Sequence, residues 1–182
     1  MCSSDLLDWL GCVLAGADAP AVSMVRDLCR SLGGTPEADS LPDRGKVSCL
    51  HAALINGAAS HVVEMDDLHR EAIIHCAAPT MPAVLAAAQR TRASGRETLT
   101  AMAAAYEVFI RIALAAGPSH YRFWHTTATC GGFGAAAGAG RLLGLDRQRL
   151  AWALGTAGTT AAGLWEFLAD SAMSKLLHPG KA

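Results

Sequence analysis

The sequence predicts an all-α fold, on three observations. Alternation of β-branched residues at strand length is absent, alanine is the commonest residue by a wide margin, and apolar residues recur at helical spacing between proline and glycine breaks. Leu6, Leu7, Leu10, Val13 and Leu14 define a first helix at roughly 4–16, with Ser3 and Ser4 as caps and Gly16 as its stop. A second helix follows Pro20 over about 19–32 and ends at "GG", before a loop that contains Pro36, Pro42 and Gly45. Residues 47–63 form the third helix. The polar stretch "EMDDLHREAIIHCAAPT" is expected to be a loop or a broken helix, with Pro82 early in the helix after it. Ser94 caps a helix over about 96–116 that Gly117-Pro118 ends, and "SHYRFWHTTAT" is another loop. Helix six, 130–143, is nearly all Gly and Ala, which allows close approach to a neighbour, and Asp146 caps helix seven at 147–161.

The length suits one domain with a sizeable core and is short for two. Hydrophobic residues make up 52% against 17% charged, and the mean hydropathy is +0.26, so some apolar surface is expected to meet a partner. A net charge of -1 without any Lys/Arg run excludes the basic footprint of a nucleic-acid binder. The cysteines, at 2, 12, 29, 49, 76 and 130, include no C-x-x-C pair, which argues against structural zinc and iron-sulfur ligation and suggests a reducing cytoplasm. The N-terminus lacks a basic segment and carries Asp5 and Asp8 within its apolar stretch, so neither a signal peptide nor a membrane span is expected there.

Several motifs invite chemistry. "GFGAAA" has the outline of a dinucleotide fingerprint, but no strand precedes it, so helix packing is the better account. "DDLHRE" has the paired acids of a magnesium-diphosphate site, but Arg70 stands where another acid is needed. Asp66, His69, His75 and His125 could ligate a transition metal, although no H-E-x-x-H spacing occurs, and no G-x-S-x-G supplies a nucleophile. What remains is a set of acids (Glu64, Asp66, Asp67), imidazoles (His69, His75, His125, His178) and cations (Lys175, Lys181) in three separate loops, the last of them "SKLLHPGKA". Such a set suits removal of a proton beside one carboxylate while cations hold the others. Histidine near neutrality serves as either acid or base.

The segments "INGAASHVVEMDDLHREAIIH", "WHTTATCGGFGAAAGAGRLLGLD", "GTTAAGLWEF" and "MSKLLHPGKA" stand in the order and spacing of the MmgE/PrpD family, which the chain resembles from "LLDWLGCVLAGA" to its last residue. That family comprises cofactor-free lyases, among them 2-methylcitrate dehydratase and cis-aconitate decarboxylase. The resemblance implies a large helical domain, of which this chain is the first part, and a smaller α+β lid from later in longer chains. It also implies a homodimer through the helical domain, and a 2-methylcitrate dehydratase type of hydro-lyase acting on a small di- or tricarboxylate in the cytoplasm. Decarboxylation or epimerisation by the same first step is the alternative, and a truncated, inactive helical association module is the other.

Carried over, Asp66, His75, His125 and Lys175 are the expected catalytic residues, with Lys175 on a substrate carboxylate and Asp66 orienting or acting as a base. Glu64, His69, His178 and Lys181 are expected to bind substrate, His178 and Lys181 with a structural alternative. Family members commonly have aspartate at the Glu64 position, a hydroxyl residue near Leu68, and His-Pro where His75-Cys76 stands. Loss of the proline predicts a softer loop behind His75.

Overall fold

The computed structural model describes residues 3–182, which excludes Cys2, and is mainly helical as expected. Helices α1 (Ser3–Gly16), α2 (Pro20–Leu32) and α3 (Cys49–His61) are followed by α4 (Ala77–Thr91), α5 (Gly95–His120), α6 (Thr126–Leu142), α7 (Arg147–Thr159), α8 (Phe167–Asp170) and α9 (Ser174–Lys181). Two corrections concern the second loop and the last segment. The loop forms an antiparallel pair, β1 (Ala38–Ser40) and β2 (Gly45–Val47), too short to show a period in sequence. The segment expected as a loop around Lys175 is the helix α9, despite the internal Pro179.

Helix α4 begins five residues before Pro82, and both Pro79 and Pro82 lie inside it. Ser94 closes a capping box with Glu97, so α5 starts where its serine predicts. Gly117, at φ 71 and ψ 177, breaks α5 before its last turn, as expected of Gly117-Pro118. Helix α5 is long and apolar enough to cross a membrane, yet Ala101, Ala105, Phe109 and Ala113 on one face are buried in this fold.

The main core gathers Trp9, Val13, Val22, Met81, Val84 and Met102, each fully buried. Burying an aliphatic or methionine side chain of this size contributes about 1.5–3 kcal/mol. Small residues bring α6 against α4 and α5. A Cβ on Gly134 would lie 2.8 Å from Ala105 O, and one on Gly138 would lie 2.4 Å from Val84 Cγ2. "GFGAAA" is therefore a packing face within α6. Helix α9 docks on α3 by the same means: a Cβ on Gly57 would lie 2.6 Å from the Gly180 Cα. That contact sets the height at which Lys175 and His178 stand above α3.

Candidate active site

The acidic loop leaves α3 at His61 and enters α4 at Ala77. Its adjacent aspartates diverge. Asp67 turns toward the scaffold, where its carboxylate accepts from Ala77 N at 2.8 Å and from the Tyr106 hydroxyl at 3.0 Å. Burial pushes its carboxyl up, and the neighbouring Asp66 charge adds to that. Asp66 turns the other way. Its Oδ2 lies 2.9 Å from His61 Nδ1 and 3.3 Å from His75 Nδ1. The two acids thus do not form the joint diphosphate-metal ligand that "DDLHRE" outlines.

Burial opposes the charge on Asp66, but hydrogen bonds from His61 and His75 and their proximity outweigh it, holding the carboxyl well below its usual range. An ionised carboxylate only accepts, so both imidazoles carry their hydrogen on Nδ1. For His75 burial favours the neutral ring, yet the hydrogen bond and charge of Asp66 prevail and raise its pKa. The loop behind His75 is also held. His75 N donates to Thr127 Oγ1 at 3.1 Å, and the Cys76 carbonyl accepts from Thr80 Oγ1 at 2.6 Å. Cys76 sits at φ -74, close to the angle a proline would impose, so the backbone here takes a φ that a proline would also adopt.

The second imidazole pair comes from α6 and α9. His125 is the N-cap residue of α6, and its N–H donates to Gly163 O at 2.8 Å. Gly163 has φ +128, and a Cβ there would lie 2.5 Å from Ala128 Cβ, so glycine is needed on both counts. His125 Nδ1 lies 3.0 Å from His178 Nδ1, so one of these nitrogens donates and the other accepts. Burial first, then His61, His178, Lys175 and His75 as cationic neighbours, push His125 down to about 3. His178 is lowered by burial and the same kind of neighbour. His61 joins the two pairs. Its ring centroid is 4.9 Å from that of His75 and 5.8 Å from that of His125.

Of the residues expected from sequence, Asp66, His75, His125 and His178 meet in this cluster, and Lys175 forms an ion pair with Glu64 at its edge. His69 makes local bonds: its Nδ1 accepts from Ala72 N at 3.2 Å and its backbone pairs with Ile74, closing the loop on itself. Lys181 Nζ donates to Thr160 O at 2.8 Å, which ties α9 to the end of α7. The residue that sequence reasoning missed is His61, fully buried at the end of α3. An imidazole in the last helical turn, five positions before an acid, was the available signal. His61, Asp66 and His75 also offer ligand atoms within 4.8 Å of one another, a donor set that suits a transition-metal ion. Both Nδ1 atoms are already committed to Asp66 at hydrogen-bond range, so an ion would have to replace those bonds.

A model of the MmgE/PrpD N-terminal domain matches residues 1–182. A cis-aconitate decarboxylase-like protein of Aspergillus oryzae is 28% identical over 182 positions, covering 95% of this chain and 38% of that protein. A cis-aconitate decarboxylase of Aspergillus terreus is 29% identical over 180 positions, covering 95% and 37% respectively. The chain therefore spans well under half the length of these curated relatives.

Proposed function

Because the chain belongs to the MmgE/PrpD family, we propose that it supplies the imidazole wall of a lyase that develops a carbanion beside a carboxylate of a small di- or tricarboxylic acid. The observation that carries this reading is the pair of imidazoles whose surroundings push them apart: His75 upward toward imidazolium, His125 down to about 3. The surroundings of the first favour a proton donor, and those of the second a neutral acceptor. Asp66 favours the charged form of His75 and orients it instead of acting as the base, because its own charge is held by two N–H donors. Lys175 is the cation for a substrate carboxylate.

The names of the relatives favour decarboxylation. In that reaction the bond between carbon and one carboxylate breaks, carbon dioxide leaves, and the electron pair shifts through the adjacent double bond to a carbon that His75 protonates. Dehydration of the 2-methylcitrate type is the second reading, favoured by the presence of a neutral acceptor beside the donor. There His125 removes the proton α to a carboxylate, the C–O bond breaks as the double bond forms, and His75 protonates the departing hydroxide to water. Both use the cofactor-free chemistry expected from the family resemblance. Incubating the purified protein with cis-aconitate and separately with 2-methylcitrate, and following released carbon dioxide and enoate absorbance, separates the two. Turnover that disappears in Lys175→Ala supports the lyase; none with either acid favours the inactive association module. A homodimer belongs to the same proposal, since Leu7, Leu14, Met24, Leu28 and Leu32 leave apolar surface on α1 and α2. Light scattering tests it.

A further inference from the structure

Glu64 is out of place for a residue that binds a polyanion. Its side chain is 45% exposed, its backbone is left-handed at φ 53, and its carboxylate reaches across to the Lys175 ammonium on α9. Beneath the same oxygen lies His61 Nε2, 4.0 Å from Glu64 Oε1, fully buried and without a hydrogen-bond partner. An unpaired buried ring nitrogen is costly, and a ligand group is one partner that would relieve it. With Nδ1 committed to Asp66, Nε2 is the ring's open position, and it faces the space beside Lys175 that the Glu64 carboxylate occupies. Lys175 Nζ and His61 Nε2 thus flank a single position for a carboxylate group, and Glu64 places its own there.

We propose that Lys175 and His61 form a carboxylate subsite that is filled by Glu64 in the absence of substrate, and that a substrate carboxylate enters by displacing it. The inference rests on the polycarboxylate reading above and adds to it the second contact, His61 Nε2, and the internal occupant. A side chain one methylene longer than aspartate makes the reach to Lys175 possible, and its half-exposed position leaves it room to swing out. The exchange is one carboxylate for another at the same ammonium, with no covalent step.

Calorimetric titration with propane-1,2,3-tricarboxylate, an unreactive tricarboxylate, tests this on the wild-type protein, Glu64→Gln, Lys175→Met and the double variant. Glu64 lies at the surface, so its replacement leaves the core intact. Loss of a competing partly exposed ion pair predicts binding roughly fivefold tighter in Glu64→Gln. That gain disappears in the double variant. His61→Gln in the Glu64→Gln background, checked for folding by circular dichroism, is expected to lose part of the gain. Equal or weaker binding in Glu64→Gln, with Lys175→Met still abolishing it, overturns the displacement and leaves the polycarboxylate site standing. No binding by any of the proteins overturns both.

Discussion

His75 and His125 are the same side chain placed just before or at the start of two packed helices, yet the molecule drives them in opposite directions. The difference is the company each keeps. His75 faces an ionised Asp66, which it shares with His61, whereas the titratable neighbours that act on His125 are other imidazoles and an ammonium. Burial weakens the charged form of both rings; a single carboxylate 3.3 Å away reverses the outcome for one of them. Two identical residues can therefore be driven to opposite protonation preferences by one aspartate placed beside one of them.

The change that breaks this contrast most severely is Asp66→Asn. It removes the charge that raises His75, and the turnover proposed above is expected to fall by about two to four orders of magnitude. Proton-detected titration of His75 checks the cause, since its pKa should drop toward or below that of a free imidazole. Next is Gly57→Val, whose side chain would collide with the Gly180 backbone and push α9 off α3. Overpacking of this kind costs about 1–3 kcal/mol, read by chemical denaturation, and Lys175 and His178 lose their position with it.

Tyr106→Phe sharpens the contrast from the scaffold side. It removes one of the two donors that hold Asp67, with an expected loss of about 1–3 kcal/mol in stability but only a small change in the His75 titration. Ser94→Ala is the smallest of the series, costing about 1 kcal/mol at the far end of α5 and leaving turnover unchanged.

The pH dependence of stability follows from the same opposition. Asp66 has a lowered pKa in the fold, so its contribution is present above about pH 4 and is lost as the pH falls through the folded value. His75, raised, contributes below about pH 6.5 and loses that contribution as the pH rises through its folded pKa. His125 acts in the reverse sense: unfolded it takes a proton below about pH 6.5, folded only near 3, so acidification between those values destabilises the protein. Thermal melts from pH 7 down to pH 4 should show falling stability, and His125→Gln should flatten that slope.

The helices were readable because serine, aspartate, proline and glycine mark their ends: Ser94, Asp146 and Gly117 act as expected, and the boundaries of α1, α2 and α7 differ by two residues or fewer. The strands at 38–40 and 45–47 were not readable, since three residues carry no period. Helix α9 was hidden by Pro179 and Gly180, residues that normally end helices and here let it lie close on α3. Within the site, His75, His125 and Lys175 could be anticipated from type and motif. His61 carried a weaker signal, because a histidine closing an alanine-rich helix looks like a capping residue until the loop folds Asp66, five positions on, back upon it.

The adjacency of Asp66 and Asp67 carries a consequence for how this segment tolerates change. One acid faces the imidazoles and the next anchors the entrance of α4, so the doublet works as a two-position index that fixes the loop's phase. Deleting one residue between His61 and Asp66 would bring Asp67 toward the rings and leave Leu68 where Tyr106 and Ala77 need an acceptor. Composition would change little, and the loop would still offer a carboxylate to the histidines, but the helix behind it would have lost its anchor. Length in this loop is therefore under stricter control than the identity of its exposed residues.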